Sequence, residues 1–116
     1  NGSGYATTLV VLGTPPTAGG QPFISPDLGV AGTITKSGYN LTYAGTGTAV
    51  NTATCVTATT TASPTYFAAA APVAAGTTGT RYFGTSEAQA LFQDTVAITA
   101  ISIAGVPTPN TAVAIK

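Results

Sequence analysis

The stretch TASPTYFAAAAPVAAGTTGTRYF, residues 61–83, decides the fold. Four consecutive alanines favour a helix by intrinsic propensity, but Pro64 and Pro72 bracket the run and Tyr66 and Phe67 lead into it. A Gly/Thr turn follows, then Arg81-Tyr82-Phe83-Gly84. Proline is excluded from helix interiors, and aromatic residues suit a pleated surface. The stretch therefore predicts two strands of a hairpin, PTYFAAAAP and TRYFG, the first with unusually small side chains at its centre.

Upstream, SGYNLTYAG gives the clearest alternation. Tyr39, Leu41 and Tyr43 fall on one face of a strand, with Asn40 and Thr42 on the other. Downstream, AQALFQD predicts a fourth strand pairing with TRYFG across the turn GTSEA, where Ser86 and Gln89 also suit a short capped helical turn. VAITAISIAGV reads as two alternating halves, Val96/Ile98 and Ile101/Ile103, with a bulge or bend at Thr99–Ala100. TAVAI is a candidate short edge strand.

The first third is irregular. YATTLVVLG fits a turn or two of helix or a short strand, and GTPPTAGGQPFISPD is loop by its Gly and Pro density. Ser25-Pro26-Asp27 marks a brief helical start. The Thr/Ala-rich segment 45–63 holds either a strand around TCVTATTT or a surface loop. The expectation is a mainly β chain, a single domain over residues 1–116, built on an antiparallel sheet of about four strands with long loops.

Composition narrows the function. Only 5% of the residues are charged, with Lys36, Arg81 and Lys116 against Asp27, Glu87 and Asp94, and about one residue in five is threonine. Nucleic-acid binding needs clustered Lys and Arg, which are absent. Near-zero net charge favours self-association. A neutral, hydroxyl-rich chain suits an extracellular setting. No apolar run reaches the length needed to span a membrane.

Catalytic and metal chemistry have little material. There is no histidine, and Cys55 is the only cysteine, which excludes an intrachain disulfide and a zinc cluster. A reduced thiol is the plain reading of Cys55, an interchain bridge the other. Asp27, Glu87 and Asp94 are not spaced as a calcium loop, and each reads as a turn residue. Arg81 is expected to anchor a carboxylate or cap backbone carbonyls. No catalytic, cofactor or metal site is expected. Thr57, Thr59, Thr60 and Thr61 are candidate O-glycosylation sites.

In order and spacing, GYATTLVVLG, TKSGYNLTYAG and PTYFAAAAPVAAGTTGTRYF resemble the globular part of bacterial type IV pilins and pseudopilins. The resemblance is carried by Gly32-Thr33 with Lys36-Ser37-Gly38-Tyr39, and by Tyr66, Ala70, Pro72, Gly76, Gly79, Arg81 and Phe83. It covers roughly residues 4 to 92 and departs from Asp94 onward. It implies a sheet packed on a long helix, making the whole α+β if that helix is counted. It implies a homopolymeric extracellular filament, with the subunit periplasmic before assembly.

That helix would come from a short separate chain of a split pilin or from an upstream segment of the same chain. The small side chains then have a purpose, because packed surfaces approach only as closely as their side chains allow. Ala68 or Ala69, with Ala70 or Ala71 two residues on, form a floor for the helix beside Leu41 and Tyr43. The competing reading is a secreted β-sandwich module, an adhesin or carbohydrate binder, which requires its tyrosines to be exposed. Assembly by strand donation lacks a donor-arm pattern.

Overall fold

The computed structural model describes residues 4–51, 54–56 and 61–116. A short helix α1 (Leu9–Gly13) precedes strands β1 (Ile34–Lys36), β2 (Tyr39–Thr46), β3 (Val50–Asn51), β4 (Thr61–Ala62) and β5 (Thr65–Pro72). Then follow β6 (Tyr82–Ser86), β7 (Leu91–Asp94), β8 (Ala100–Ile101), β9 (Pro107–Thr108) and β10 (Val113–Ala114). The chain is mainly β, as predicted. Among the described residues no helix is long and apolar enough to cross a membrane. Contacts divide the chain into two compact units, residues 1–32 with 44–66 and residues 33–43 with 67–116.

In the first unit, the second half of YATTLVVLG, Leu9–Gly13, is helix, whereas Tyr5 forms an isolated bridge with Ser63. Thr8 caps α1, its Oγ1 accepting from the Val11 N–H at 3.4 Å, and the Thr14 hydroxyl donates to the Val10 carbonyl at 2.8 Å. The Ser25 carbonyl accepts from the N–H groups of Leu28 and Gly29, closing the single turn that Pro26 starts. Gly13 and Gly29 meet backbone to backbone; a Cβ on Gly13 would lie 2.6 Å from the Gly29 Cα. Tyr5 and Ser63 exchange both backbone hydrogen bonds, at 2.8 and 2.9 Å. β3 and β4 form a two-residue ladder, Val50 opposite Ala62 and Asn51 opposite Thr61.

The second unit holds an antiparallel sheet in the order β1-β2-β5-β6-β7-β10. The four strands that the alternation predicts are the four central ones, and the short β1 and β10 flank them. TAVAI contributes β10, with Val113 opposite Gln93 and Ala114 opposite Phe92. After β6, the Gln89 N–H donates to the Ser86 carbonyl at 3.0 Å and the Ala88 N–H to the Ser86 hydroxyl at 3.3 Å, so the turn is narrower than expected: Gly84 to Ser86 of GTSEA belong to β6, and only Glu87 and Ala88 turn the chain.

Register fixes the faces. Ala69 lies opposite Gly84, and Gly84 opposite Phe92, so all three share a face. Ile98, Phe92 and Ala112 are buried there, with Phe67, Ala90 and Ile101 packed around them. The row is tight at Gly84, where a Cβ would stand 3.0 Å from the Ile98 side chain and 3.4 Å from the Phe67 ring, so that these neighbours would have to give by a few tenths of an ångström.

VAITAISIAGV departs from the expected bulged strand. Only Ala100–Ile101 are extended in a ladder, paired with Thr108 and Pro107. Ile98 is buried, but Ile103 is 83% exposed at the tip of the β8–β9 hairpin. Ser102 makes the turn: its carbonyl accepts from the Gly105 N–H at 2.7 Å and its hydroxyl from the Val106 N–H at 3.1 Å, with Gly105 at φ +77°. Ser-Ile-Ala-Gly is turn chemistry laid over an apolar alternation.

Candidate docking face of the sheet

The alanines of β5 divide between the two faces. Ala69 faces the cluster around Ile98, and Ala71, two residues on, shares its side. Ala68 lies opposite Thr85 and Ala70 opposite Phe83, on the other face. The Val73 N–H donates to the Gly38 carbonyl at 2.9 Å, and the Thr46 and Thr65 hydroxyls lie 2.6 Å apart. An antiparallel register satisfying both contacts sets Leu41 opposite Ala70 and Tyr43 opposite Ala68. The helix-docking candidates that come together are therefore Leu41, Tyr43, Ala68 and Ala70. All four are half-buried.

The small side chains have a local reason as well. β5 runs between β2 and β6, yet Tyr39 of β2 and Phe83 of β6 touch, their ring centroids 5.9 Å apart and tilted by 51°. Two aromatic rings meet across an intervening strand only where that strand is low. The Tyr39 ring also lies against Gly79, where a Cβ would collide with it.

This face is not uniformly open. Ile34, opposite Leu41, is buried, whereas Leu91, Val113 and Ile115 at the other end are 44%, 58% and 42% exposed. The Ile115 N–H donates to the Leu91 carbonyl, and Val113 pairs with Gln93, so these side chains stand together. Sequence reading left this apolar row out of the candidate set, although the alternation of Val113 and Ile115 in TAVAI carried the signal.

The charged residues build turns and edges. Asp94 accepts from the Thr111 hydroxyl at 2.6 Å through one oxygen, and from the Thr95 N–H at 2.6 Å through the other. The Thr111 bond is the largest cause holding this carboxyl below its ordinary range, with the backbone bonds adding to it and desolvation opposing. Arg81 donates to the Gln93 side-chain carbonyl at 2.8 Å, so among the described residues its partner is an amide rather than the expected carboxylate or backbone carbonyl.

Cys55 is an exposed free thiol. Thr61 is half-buried in β4, and Thr57, Thr59 and Thr60 lie outside the described residues. Among the described residues no three of His, Cys, Asp and Glu gather as a metal site. Of the tyrosines, Tyr5 is exposed, its ring centroid 4.9 Å from that of Tyr66, and the other four are half-buried. No known protein family, curated protein or solved structure matches the chain.

Proposed function

We propose that this chain is the globular part of an extracellular filament subunit of the type IV pilin or pseudopilin kind, with a structural rather than a catalytic role. Its sheet would receive a helix from outside the described residues, supplied by a second chain or by an upstream segment. The observation that carries the reading is the position of β5, whose small side chains run through the middle of the sheet between Tyr39 and Phe83. Ala68 and Ala70, flanked by Leu41 and Tyr43, provide the low floor against which a helix can pack closely. The charge-poor composition suits subunits that must pack densely against one another. An aromatic binding platform draws less support, because four of the five tyrosines are half-buried.

Intact-mass measurement and N-terminal sequencing of filaments sheared from producing cells test this. The expected result is a component containing this sequence in the filament fraction, either beside a short apolar chain or within one longer chain. Its absence from every filament fraction would overturn the proposal and favour a secreted binding module.

A further inference from the structure

The sheet has two edges, and they are protected unequally. β1 carries Lys36 and runs into a tight turn with Ser37 at φ +52° and Gly38 at φ +79°. Charges and irregular backbone are the usual devices that stop an edge from pairing with another strand. β10, at the other edge, is a two-residue strand between a turn at residues 109–111 and Lys116, but its own pairing residues carry neither device. Thr111 to Ile115 contains no charge, no proline and no glycine, and residues 95–115 hold no charged side chain at all.

The register shows which backbone groups the edge presents. The Ile115 N–H donates to the Leu91 carbonyl at 2.7 Å, so this pair is hydrogen-bonded to β7. Residues alternate along an antiparallel ladder between bonded and non-bonded pairs. Ala114, opposite Phe92, therefore directs its N–H and C=O away from β7, toward the outside of the sheet.

We infer that a second copy of this chain pairs antiparallel along β10, about a two-fold axis at Ala114. Each Ala114 N–H then donates to the Ala114 carbonyl of the other copy. Val113 comes opposite Ile115 of the second copy, on the face where Leu91 is also exposed, and the two apolar rows become continuous. Lys116 falls opposite Ala112 of the second copy, so the two lysines do not oppose each other. A second copy suits this edge because the strand is self-complementary about Ala114 and places no like charges across the axis. The inference is independent of the filament proposal, since it concerns the purified chain in solution.

Sedimentation equilibrium over a range of concentrations tests it, with Ala114→Pro as the variant. Proline at 114 removes the outward N–H and leaves the inward bonds at 113 and 115 in place. The wild type is expected to pass from monomer to dimer, and the variant to dimerise about tenfold more weakly or worse, with an unchanged circular dichroism spectrum. Residue-resolved hydrogen exchange of the wild type serves where the variant does not fold. The Ala114 amide should gain protection as concentration rises, while the Ile115 amide is protected throughout. A wild type that stays monomeric overturns the inference, as does a variant that dimerises as tightly, or a dimer whose Ala114 amide exchanges as fast as in the monomer. Failure to find the chain in cell-sheared filaments would leave this result standing, so the two ideas fail separately.

Discussion

Asp94 ties the end of β7 to the turn that leads into β10, through Thr95 on one side and Thr111 on the other. Because the folded carboxyl ionises more readily than the unfolded one, its contribution is complete above the unfolded pKa, near 4, and fades as pH falls through the lowered folded value. Asp94→Asn should therefore lower the melting temperature at neutral pH and leave it nearly unchanged in acid, so that the acid limb of the profile flattens. Thr111→Val should raise the Asp94 titration toward the ordinary range, read by carboxyl-carbon NMR. Gly84 shows the opposite kind of constraint, one of space. Gly84→Ala should destabilise the chain by about 1–3 kcal/mol in urea titration, since its methyl must displace Ile98 or the Phe67 ring. Cys55 is exposed, so the native protein should bind one equivalent of a thiol reagent without denaturant.

At the scale of the element, β5 separates what was legible in the sequence from what was not. Tyr39, Leu41 and Tyr43 announced β2 because large and polar side chains alternate there, and Pro64 and Pro72 bounded β5. Four identical alanines carry no phase, so nothing local shows which pair faces which way. The phase comes from non-local partners: Gly84 opposite Ala69 and Phe83 opposite Ala70. VAITAISIAGV misled for a related reason, since an apolar alternation continued through a turn closed by Ser102 and Gly105. The assigned phase has a measurable consequence. Ala69→Phe should overpack the row beneath Ile98 and lower stability by about 1–3 kcal/mol, whereas Ala68→Phe should leave the isolated chain folded and block helix docking. Urea titration of both variants checks the first half, and incorporation into filaments the second. Equal loss of stability in the two would contradict the assigned faces.

For the whole molecule, the scarcity of charge is the dominant property. With 5% charged residues and a formal net charge of zero, long-range electrostatics contributes little to how the chain meets any partner. Its self-association constant should change by less than about twofold between 50 and 500 mM salt, measured by sedimentation. A steep salt dependence would point to an ionic interface and away from apolar and backbone pairing. The reciprocal bonds between Tyr5 and Ser63 acquire a meaning under tension. A pull on the N-terminal segment loads this residue pair and the backbone bond from the Gly45 N–H to the Thr7 carbonyl beyond it, with no regular ladder around them among the described residues. β6 and β7 distribute a comparable load over four paired residues. Force-extension measurements should therefore find the segment ahead of α1 yielding at lower force than the β6–β7 ladder.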